Sequence, residues 1–451
     1  MSAIPPTAII VAAGKSSRLP HPDGVPKPLR PIAGVPLVAR IMHAAAEAGL
    51  RHFVVVIGWE ADRMRRQLPA LVPPGSGLTL VDNDRFDEPN GISLRLGAER
   101  VGGPLVLLMA DHLFSPDRLA RARHRGAANL LVVERRESFT GDLDDATRVL
   151  VRDGKVAAIG KGLAEYDAID TGMFVLDAPA IVRALDRAGP GPSISDGMRA
   201  LAADGALAAF DPGAGWWIDV DTPSDVAAAE RALYRSLRKP TDGLLARLVN
   251  RRVSLCVSTR IWRLGVTPNM MTAATLLLGL AAGFAFAQGA GPGWGLLGAA
   301  LFQLQSVLDG ADGELARLLL KESRFGHWLD LAADNLTHMA VFAGIAAGQA
   351  AGAVPGPWAA LGTAAVLGVG ASFAALAPLL PSPRSGGASR HPGGALGRLV
   401  DGLSRRDFTY LLFPLAALGW LGWFLWAAAI GTWVYALAVV GLRLRNRRAE
   451  V

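Results

Sequence analysis

The sequence predicts a soluble N-terminal domain (residues 1–238), a linker (residues 239–267) and an all-α membrane domain (residues 268–451). Three observations predict this division. The 451 residues are 51% hydrophobic and have a mean hydropathy of +0.30, which is too apolar for one ordinary soluble domain. Charged and apolar residues are mixed up to about residue 245, whereas apolar runs dominate from Met270 onward. The linker contains a proline break and an amphipathic, arginine-rich segment suited to a membrane interface.

The composition excludes several classes of protein. A single cysteine, Cys256, excludes an internal disulfide framework and a cysteine-rich zinc site. The N-terminal stretch MSAIPPTAIIVAAG lacks the basic and long apolar regions of a signal peptide, so we expect the first domain to remain in the cytosol. The net charge is +7, but the arginines lie beside apolar runs, which indicates a juxtamembrane role. We therefore expect no nucleic-acid partner.

Six apolar runs approach the length of a membrane span, which is roughly 20 residues. The last two are marginal, because the chain from Phe408 to Gly441 must fold back near Gly419–Gly422, and one long tilted span is the alternative interpretation there. Basic residues precede the first run, follow the second and the fourth, and fill the C-terminal tail, whereas the loops QGAGPGW and AAGAVPGPW carry no charge. This pattern predicts six spans with the N-terminal domain and the C-terminus both in the cytosol. The predicted spans are residues 270–288, 293–310, 326–349, 357–380, 408–424 and 426–442.

Four aspartates lie at the edges of the second and third predicted spans, in the stretch DGADGELARLLLKESRFGHWLDLAAD. Asp309 and Asp312 are three residues apart, and Asp330 and Asp334 are four apart, so each pair shares one helix face. Buried carboxylates need partners, and hard divalent cations prefer oxygen ligands. Two such ions suit phosphoryl transfer, where Arg317 can neutralise a phosphate. The alternative is a hydrated helical hairpin with incidental acids.

The same stretch reads D-x2-D-G-x2-A-R-x8-G-x3-D-x3-D and resembles the signature of the CDP-alcohol phosphotransferase family. The resemblance covers about residues 243–445 and includes the upstream stretch GVTPNMMT, which contains Pro268, Asn269 and Thr272. It implies six transmembrane helices, a homodimer through the membrane domain, and a site at the cytosolic face. It also implies that Asp309, Asp312 and Asp330 bind metal, that Asp334 binds metal or acts as the base, and that Gly313, Ala316 and Arg317 contact the CDP group.

An apolar strand near the N-terminus, residues 8–12, runs into a loop of small residues in the stretch TAIIVAAGKSSRL. Backbone amides in such a loop can hold phosphates, although the spacing is not that of a Walker A motif. Together with the following VPKPL, the loop resembles the nucleotidyltransferases that activate sugar or alcohol phosphates. The resemblance implies a Rossmann-like, mostly parallel α/β sheet. It also implies nucleotide contacts from Ala12, Ala13 and Gly14, and catalytic contacts to phosphate groups from Arg18 and Lys27.

Acidic residues near strand ends complete the predicted first site. Asp111 follows the buried strand PLVLLM, a position well placed for ligands, and the resemblance makes it a Mg²⁺ ligand. Asp219 and Asp221 in WWIDVDTPSD share one face if the chain is extended. We expect Asp219 to be the second metal ligand, whereas Asp221 has the alternative role of capping the following helix. His112 is interpreted as structural.

Two further segments resemble substrate-reading parts of the same nucleotidyltransferases. The stretch DNDRFDEPNGISL resembles the loop that reads base and ribose, which makes Asn90 and Ser93 the expected contacts. A turn built on the Asn-Gly pair is the alternative there. The stretch IGKGLAEYDAIDTGMFVLD resembles the substrate-facing part, with Lys161 and Gly172 as the expected contacts.

The two resemblances together indicate a reaction sequence, because one domain would make a CDP-alcohol that the other would consume. This pairing resembles the family of bifunctional inositol-1-phosphate cytidylyltransferase/CDP-inositol:inositol-phosphate phosphotransferases. The resemblance implies CTP, inositol 1-phosphate and CDP-inositol as ligands, Mg²⁺ or Mn²⁺ in both sites, and a multi-pass protein of the cytoplasmic membrane. Arg405 and Arg406 are candidate contacts for the acceptor's phosphate, or alternatively positive-inside anchors. The motifs are also compatible with a lipid acceptor, with a different polyol phosphate, and with UTP in place of CTP.

Overall fold

The computed structural model describes residues 7–15, 23–126, 128–139, 141–237, 250–289, 291–352, 354–376 and 406–449. The chain divides into two compact units, Met1–Leu233 and Tyr234–Val451. The division lies within helix Pro223–Ser236, near the predicted domain limit at residue 238.

Thirteen described strands form the sheets of the N-terminal unit. Three neighbouring strands read TAIIV, HFVVVI and PLVLLM and are buried almost throughout. Continuous apolar runs of this kind are typical of parallel strands that are covered on both faces. The strands are β1 Thr7–Val11, β2 Pro31–Ile32, β3 Val35–Pro36, β4 His52–Ile57, β5 Gly77–Asp82, β6 Pro104–Met109, β7 His112–Phe114, β8 Leu130–Arg135, β9 Arg148–Arg152, β10 Lys155–Gly160, β11 Ala168–Asp177, β12 Ala208–Phe210 and β13 Trp217–Asp219.

The main sheet has nine strands in the order β5-β4-β1-β6-β11-β8-β12-β10-β9. The expectation of a mostly parallel sheet is wrong beyond β6, where β8 and β12 pair in parallel but the other described pairings are antiparallel. Strands β5, β4, β1 and β6 are parallel, whereas β11 runs antiparallel to both β6 and β8, and β9 and β10 form an antiparallel pair. The β9–β10 connection accounts for the last of these pairings, because Asp153 and Gly154 both adopt left-handed φ angles, of 51° and 73°. Two such residues make the tight turn of a hairpin, which only antiparallel strands can use.

Helices cover both faces of this sheet and enclose two apolar cores. Ile10 of β1 packs into the core that contains Ile41 and Leu119, whereas the adjacent Ile9 packs into the core that contains Leu94 and Ile181. This alternation follows from the two-residue period of a strand. The helices are α1 Leu37–Glu47, α2 Ala61–Gln67, α3 Gly91–Val101, α4 Pro116–His124, α5 Ala178–Arg187, α6 Ile194–Ala203 and α7 Pro223–Ser236.

The C-terminal unit is helical in its described part. The helix Pro268–Ala287 begins with a recognisable signal. Pro268 is its first residue and follows the cap Thr267, whose hydroxyl accepts a hydrogen bond from the Met270 amide. The helices are α8 Arg251–Ile261, α9 Pro268–Ala287, α10 Pro292–Leu318, α11 Arg324–Ala350, α12 Trp358–Leu376, α13 Leu412–Ala417 and α14 Leu421–Ala449.

Three helical segments in the described part are long and apolar enough to cross a membrane: Pro268–Ala287, Trp358–Ala375 and Leu421–Gly441. Helices α10 and α11 have 27 residues each, which is about 40 Å, but they carry the charged motif. Large apolar side chains such as Leu277, Phe284 and Trp423 are exposed on this unit. Such a surface suits lipid rather than water.

The chain folds back within the predicted stretch Gly419–Gly422, but the predicted limits of the last two spans, residues 424 and 426, are wrong. The chain turns at Gly419, whose φ is 72°, and α14 begins at Leu421 instead of residue 426. The amide of Trp420 donates to the Leu415 carbonyl and that of Gly419 to the Ala416 carbonyl. This is a Schellman motif, for which glycine is the preferred residue. The predicted fifth span therefore contains a 3-10 helix, Arg406–Leu411, and the short α13.

Candidate active sites

A buried lysine holds two carboxylates together in the N-terminal unit. Lys27 lies in a short 3-10 helix, Lys27–Leu29, and is only 4% exposed. Its Nζ donates to Asp111 Oδ2 at 3.0 Å and to Asp221 Oδ1 at 2.5 Å. Burial alone would lower the pKa of Lys27, but the two carboxylates more than offset that effect and raise it. Lys27 is therefore a cation fixed beyond the carboxyl end of β6.

Two sheets position Asp111 and Asp219. Asp111 follows β6 of the main sheet, and β13 pairs with β7 in a separate two-stranded sheet so that Asp219 lies opposite His112. The His112 Nδ1 donates to Asp111 Oδ1 at 2.7 Å. Burial opposes the charge of His112, but Asp219 and Asp111 raise its pKa to about 9. Burial would likewise raise the pKa of Asp111, yet His112 and Lys27 hold that pKa well below its usual range.

The residues of this site fit a divalent cation. Ligand atoms of Asp111, His112 and Asp219 lie within 4.8 Å of one another, and so do those of Asp145, Asp219 and Asp221. Asp219 Oδ1 is buried without a hydrogen-bond partner among the described residues, and burial raises the pKa of this carboxyl to about 6. Converging carboxylate oxygens, one of them without a donor, are the chemistry that Mg²⁺ or Mn²⁺ accepts.

The alternative role of Asp221 as a helix cap is wrong. Thr222 and Asp225 hold the start of α7 instead, because the Thr222 amide donates to Asp225 Oδ2 at 2.7 Å and the Asp225 amide approaches the Thr222 hydroxyl at 3.4 Å. The carboxylate of Asp221 points to Lys27. Asp221 therefore belongs to the site together with Asp219.

The predicted nucleotide loop begins where β1 ends. Ala12 and Ala13 are buried there, and the space beside Gly14 is open, because a Cβ at this position would meet no atom within 4 Å. Arg18 lies outside the described residues. The contacts predicted for these residues remain predictions.

The structure gives Asn90 and Ser93 partners within the protein. Asn90 precedes α3, and its Oδ1 accepts from the Ile194 amide at 2.9 Å. Ser93 is buried, and its hydroxyl accepts from Asn83 Nδ2 at 2.9 Å. Both side chains thus help to hold α3 in place, and their contacts to base and ribose remain predictions.

The two predicted substrate contacts each lie next to a residue of this site. Gly172 has a φ of 70°, and a Cβ there would come within 2.6 Å of His112 Cδ2, so a glycine is required beside the imidazole. Lys161 reaches the cluster through Asp145, because its Nζ lies 2.6 Å from Asp145 Oδ1.

Sequence reasoning missed three residues of this site. Asp145 lies in a loop without a motif, and only the fold brings it to Asp219 and Asp221. Trp217 stacks between His112 and Phe139, with ring centroids 5.6 and 5.8 Å apart, and its indole NH donates to Glu134. His112, interpreted as structural, contacts Asp111 directly. The sequence could have indicated His112 and Trp217, because they lie next to the predicted ligands in the stretches ADH and WWID. No comparable motif surrounds Asp145.

The membrane unit places a hydrogen-bonded aspartate at the junction of α9 and α10. The hydroxyl of Thr272 donates to Asp312 Oδ2 at 2.6 Å, and the amide of Gly313 donates to Asp312 Oδ1 at 2.5 Å. Thr272 is also hydrogen-bonded to the Pro268 carbonyl within α9. The stretch GVTPNMMT thus contacts α10 through Thr272. On the same helix, Gln305 Nε2 donates to Asp309 Oδ1 at 3.3 Å.

Helix α11 brings the second pair of aspartates and is packed closely against α9. A Cβ on Gly326 would lie 3.3 Å from Asn269 Oδ1, so the glycine permits the approach of the Pro-Asn segment. Asp330 and Asp334 follow on α11, and His338 Nδ1 donates to the Asp334 carbonyl at 2.7 Å. In the described part of the chain, the groups of three ligand atoms within 4.8 Å do not include the motif aspartates. Their role as metal ligands remains a prediction.

The C-terminal end of α10 carries the predicted CDP contacts. A Cβ on Gly313 would lie 3.4 Å from Arg317 Nη1. The helix ends in a second Schellman arrangement, because the Lys321 amide donates to the Ala316 carbonyl at 2.8 Å and Leu320 has a φ of 52°. Arg405 lies outside the described residues, and Arg406 begins the 3-10 helix Arg406–Leu411.

Comparisons with known proteins match both units. Residues 8–140 match the MobA-like NTP transferase domain, and residues 265–434 match the CDP-alcohol phosphatidyltransferase family. A "bifunctional IPC transferase and DIPP synthase" of Thermococcus kodakarensis is 36% identical over 74% of this chain and 73% of its own length. One of Aquifex aeolicus with the same name is 32% identical over 75% of this chain and 77% of its own length. The chain belongs to this bifunctional family.

The family joins a nucleotidyltransferase domain to a CDP-alcohol phosphotransferase domain in one chain, and both domains are present here. The chain is therefore a transferase with two catalytic domains. The structure of the inositol-1-phosphate CTP transferase from T. maritima is also similar, at 24% identity over 51% of this chain and 96% of that chain, with a TM-score of 0.47. Both domain families generally use divalent metals, in agreement with the acidic cluster around Asp219.

Proposed function

We propose that the N-terminal domain converts CTP and inositol 1-phosphate to CDP-inositol and pyrophosphate. The membrane domain then transfers phosphoinositol from CDP-inositol to a second inositol 1-phosphate and releases CMP, which makes phosphorylated di-inositol phosphate. One observation carries the proposal: a buried Lys27 joined to Asp111 and Asp221 occurs in the same chain as the complete eight-position membrane motif. Membership of a family named for two activities supports it.

In the first reaction, a phosphate oxygen of inositol 1-phosphate attacks the α-phosphorus of CTP in line. The bond from this phosphorus to the bridging oxygen of the β-phosphate breaks, and pyrophosphate leaves with the electron pair. Lys27 stabilises the charge on the phosphoryl oxygens, and we propose the same role for Arg18. Asp111, Asp219 and Asp221 would hold Mg²⁺ or Mn²⁺, which supplies neutralisation of the triphosphate when bound.

In the second reaction, a hydroxyl oxygen of the acceptor attacks the phosphorus that carries inositol. The bond from this phosphorus to the CMP oxygen breaks, CMP leaves with the electron pair, and the hydroxyl proton passes to the Asp334 carboxylate. Mg²⁺ or Mn²⁺, when bound, supplies charge neutralisation of the diphosphate. The proposed ligands are Asp309, Asp312, Asp330 and Asp334, and the proposed CDP contacts are Gly313, Ala316 and Arg317.

The acceptor distinguishes the proposal from its main alternative. An inositol phosphate needs cationic contacts for its own phosphate, and Arg405 and Arg406 are the proposed ones. A lipid acceptor would share the same aspartate motif, because the motif acts on the diphosphate and on the attacking hydroxyl, which both kinds of acceptor have.

We further propose six transmembrane helices in the cytoplasmic membrane, with the N-terminal domain and the C-terminus in the cytosol and a homodimer formed through the membrane domain. The positive-inside pattern and the exposed apolar side chains of the helical unit support the membrane topology. The dimer rests on family resemblance.

Product analysis tests the proposal. Membranes that contain the protein are incubated with CTP, Mg²⁺ and inositol 1-phosphate, pyrophosphate and CMP are followed, and products are identified by mass spectrometry. We expect both leaving groups and a phosphorylated di-inositol phosphate. CDP-inositol that accumulates without CMP would point to a lipid acceptor, and a lack of pyrophosphate would refute the inositol assignment.

Asp145→Asn is expected to raise the KM for inositol 1-phosphate about fivefold and to change the KM for CTP less. Asp145 holds Lys161 at the cluster, and the change replaces this exposed ion pair with a weaker neutral hydrogen bond, a loss of up to about 1 kcal/mol. Lys161→Met should have a similar effect, and the double variant should be no worse than either single one, because the two residues act as a pair. Initial rates of pyrophosphate release measure both constants.

Asp144→Asn is the matched control, because this neighbouring aspartate is 99% exposed. Equal effects of the Asp144 and Asp145 variants, or additive effects of the Asp145 and Lys161 variants, would contradict the pairing.

A further inference from the structure

Glu314 is a buried carboxylate inside the membrane motif that the proposed reactions do not use. It follows Gly313 on α10 and is 0% exposed. Its Oε1 accepts from the Ser254 hydroxyl at 2.7 Å, and its Oε2 accepts from the Ser258 hydroxyl at 2.6 Å. Both serines lie on α8 and are buried. Each oxygen of one carboxylate is thus bonded to the same neighbouring helix.

The spacing of the two serines makes this contact a clamp. Ser254 and Ser258 are four residues apart, so their hydroxyls lie on one face of α8, one turn from each other. A carboxylate that bonds both hydroxyls fixes the rotation of α8 about its own axis and the position of α8 along α10. Apolar side chains would join two helices without the cost of burying a carboxylate. The clamp therefore supplies geometry that simple packing would not.

A second polar contact joins the same two helices. Gln303 Nε2 of α10 donates to Asn250 Oδ1, immediately before α8, at 3.3 Å, and the Tyr410 hydroxyl donates to the same oxygen at 2.7 Å. Gln303 lies about three turns before Glu314 on α10. Helix α8 is thus fixed at two points along α10, and the position of Glu314 is not an isolated contact.

We propose that Glu314 is a positioning residue for phosphotransfer, and this rests on the proposed function of the membrane domain. Asp309, Asp312 and Gly313 share one face of α10, whereas Glu314 lies about 100° around the helix from Gly313 and about 140° to 160° from the two aspartates, on the side that faces α8. By fixing α10 against α8, the clamp sets the direction of the motif face. A shift of about 1 Å in such a face can reduce a rate about 100-fold.

The test compares Glu314→Ala, Glu314→Gln and Ser254→Ala/Ser258→Ala in full-length protein, with CMP release from supplied CDP-inositol as the measure. We expect Glu314→Ala to lower kcat about 100-fold and Glu314→Gln to stay within about fivefold, because a carboxamide accepts from one hydroxyl and donates to the other. The serine double variant should resemble Glu314→Ala. Pyrophosphate release from CTP, which uses the other domain, should not change.

Glu322→Ala is the matched control, because Glu322 is an exposed acid just beyond α10. Activity of Glu314→Ala within twofold of wild type would overturn the inference, and so would a Glu314→Gln variant as inactive as Glu314→Ala. A loss of thermal stability in detergent with unchanged kcat per folded molecule would show a merely structural role and would also overturn it.

Failure of the proposed function would appear in the wild type as a lack of CMP release. Mn²⁺ binding followed by electron paramagnetic resonance tests the clamp in that case too, in an Asp111→Asn background that weakens the first site. We expect Glu314→Ala to weaken binding at the membrane site at least tenfold and Glu314→Gln to leave it unchanged. Equal binding in both variants would overturn the inference without reference to any substrate.

Discussion

Lys27→Met is expected to lower the rate of pyrophosphate release from CTP and inositol 1-phosphate by at least about 100-fold. The ammonium group is the buried cation of the first site, and loss of one preorganised charge of this kind costs about 3 kcal/mol in the transition state. The measurement is kcat for pyrophosphate release. Release of CMP from supplied CDP-inositol should remain unchanged, because Lys27 belongs to the N-terminal unit.

The same variant should also destabilise the N-terminal unit. Without Lys27, the carboxylates of Asp111 and Asp221 lose a buried partner, and removal of one member of a buried pair costs about 3 kcal/mol. Thermal unfolding in the presence and absence of Mg²⁺ measures this effect, and we expect Mg²⁺ to restore part of the stability. Lys155→Met provides the control, because Lys155 is exposed on β10. A Lys27→Met enzyme with wild-type kcat would refute the assigned role.

Asp312→Asn is expected to lower CMP release from CDP-inositol by at least about 1,000-fold. The change removes a charged oxygen from the proposed metal site, and charge neutralisation by the ion is worth several kcal/mol in the transition state. The carboxamide oxygen still accepts from the Thr272 hydroxyl and gives up only the bond from the Gly313 amide, so the helix contact and the fold should be retained. Quantified CMP and the melting temperature in detergent are the measurements.

Glu322→Gln is the control for Asp312→Asn, since it removes a charge in the exposed turn after the same helix. Pyrophosphate release should be normal in both variants. Retention of more than a tenth of the wild-type CMP release in Asp312→Asn would contradict the metal role. A parallel loss of pyrophosphate release would instead indicate that the two reactions are coupled.

Several features followed from short stretches of the chain alone. The spacing of Asp309, Asp312 and the later motif residues indicated the chemistry of the membrane half, because helix periodicity and ligand preference act over a few residues. The apolar strand before Ala12 and the turn near Gly419 also followed from local sequence. In each case the determining interaction is local, so neighbouring letters contain the information.

The composition of the first site was decided by the tertiary structure. Lys27 meets Asp221 across 194 residues, and only the fold distinguishes this contact from a helix cap. Asp145 reaches Asp219 from a loop without a motif, and the reversal of β11 follows from long-range strand pairing. A sequence pattern does not encode which distant side chains share a site.

Glu314 shows the same division within one motif. Its neighbours Asp312 and Gly313 are identified by their spacing in the motif. The sequence around Glu314 did not predict its hydrogen bonds to Ser254 and Ser258 on another helix. By itself, the sequence determined the two domains and the family and supplied the candidate reactive groups, because these depend on local pattern. Only the tertiary structure decided which partners hold those groups in position, because burial and long-range hydrogen bonds arise when the chain packs.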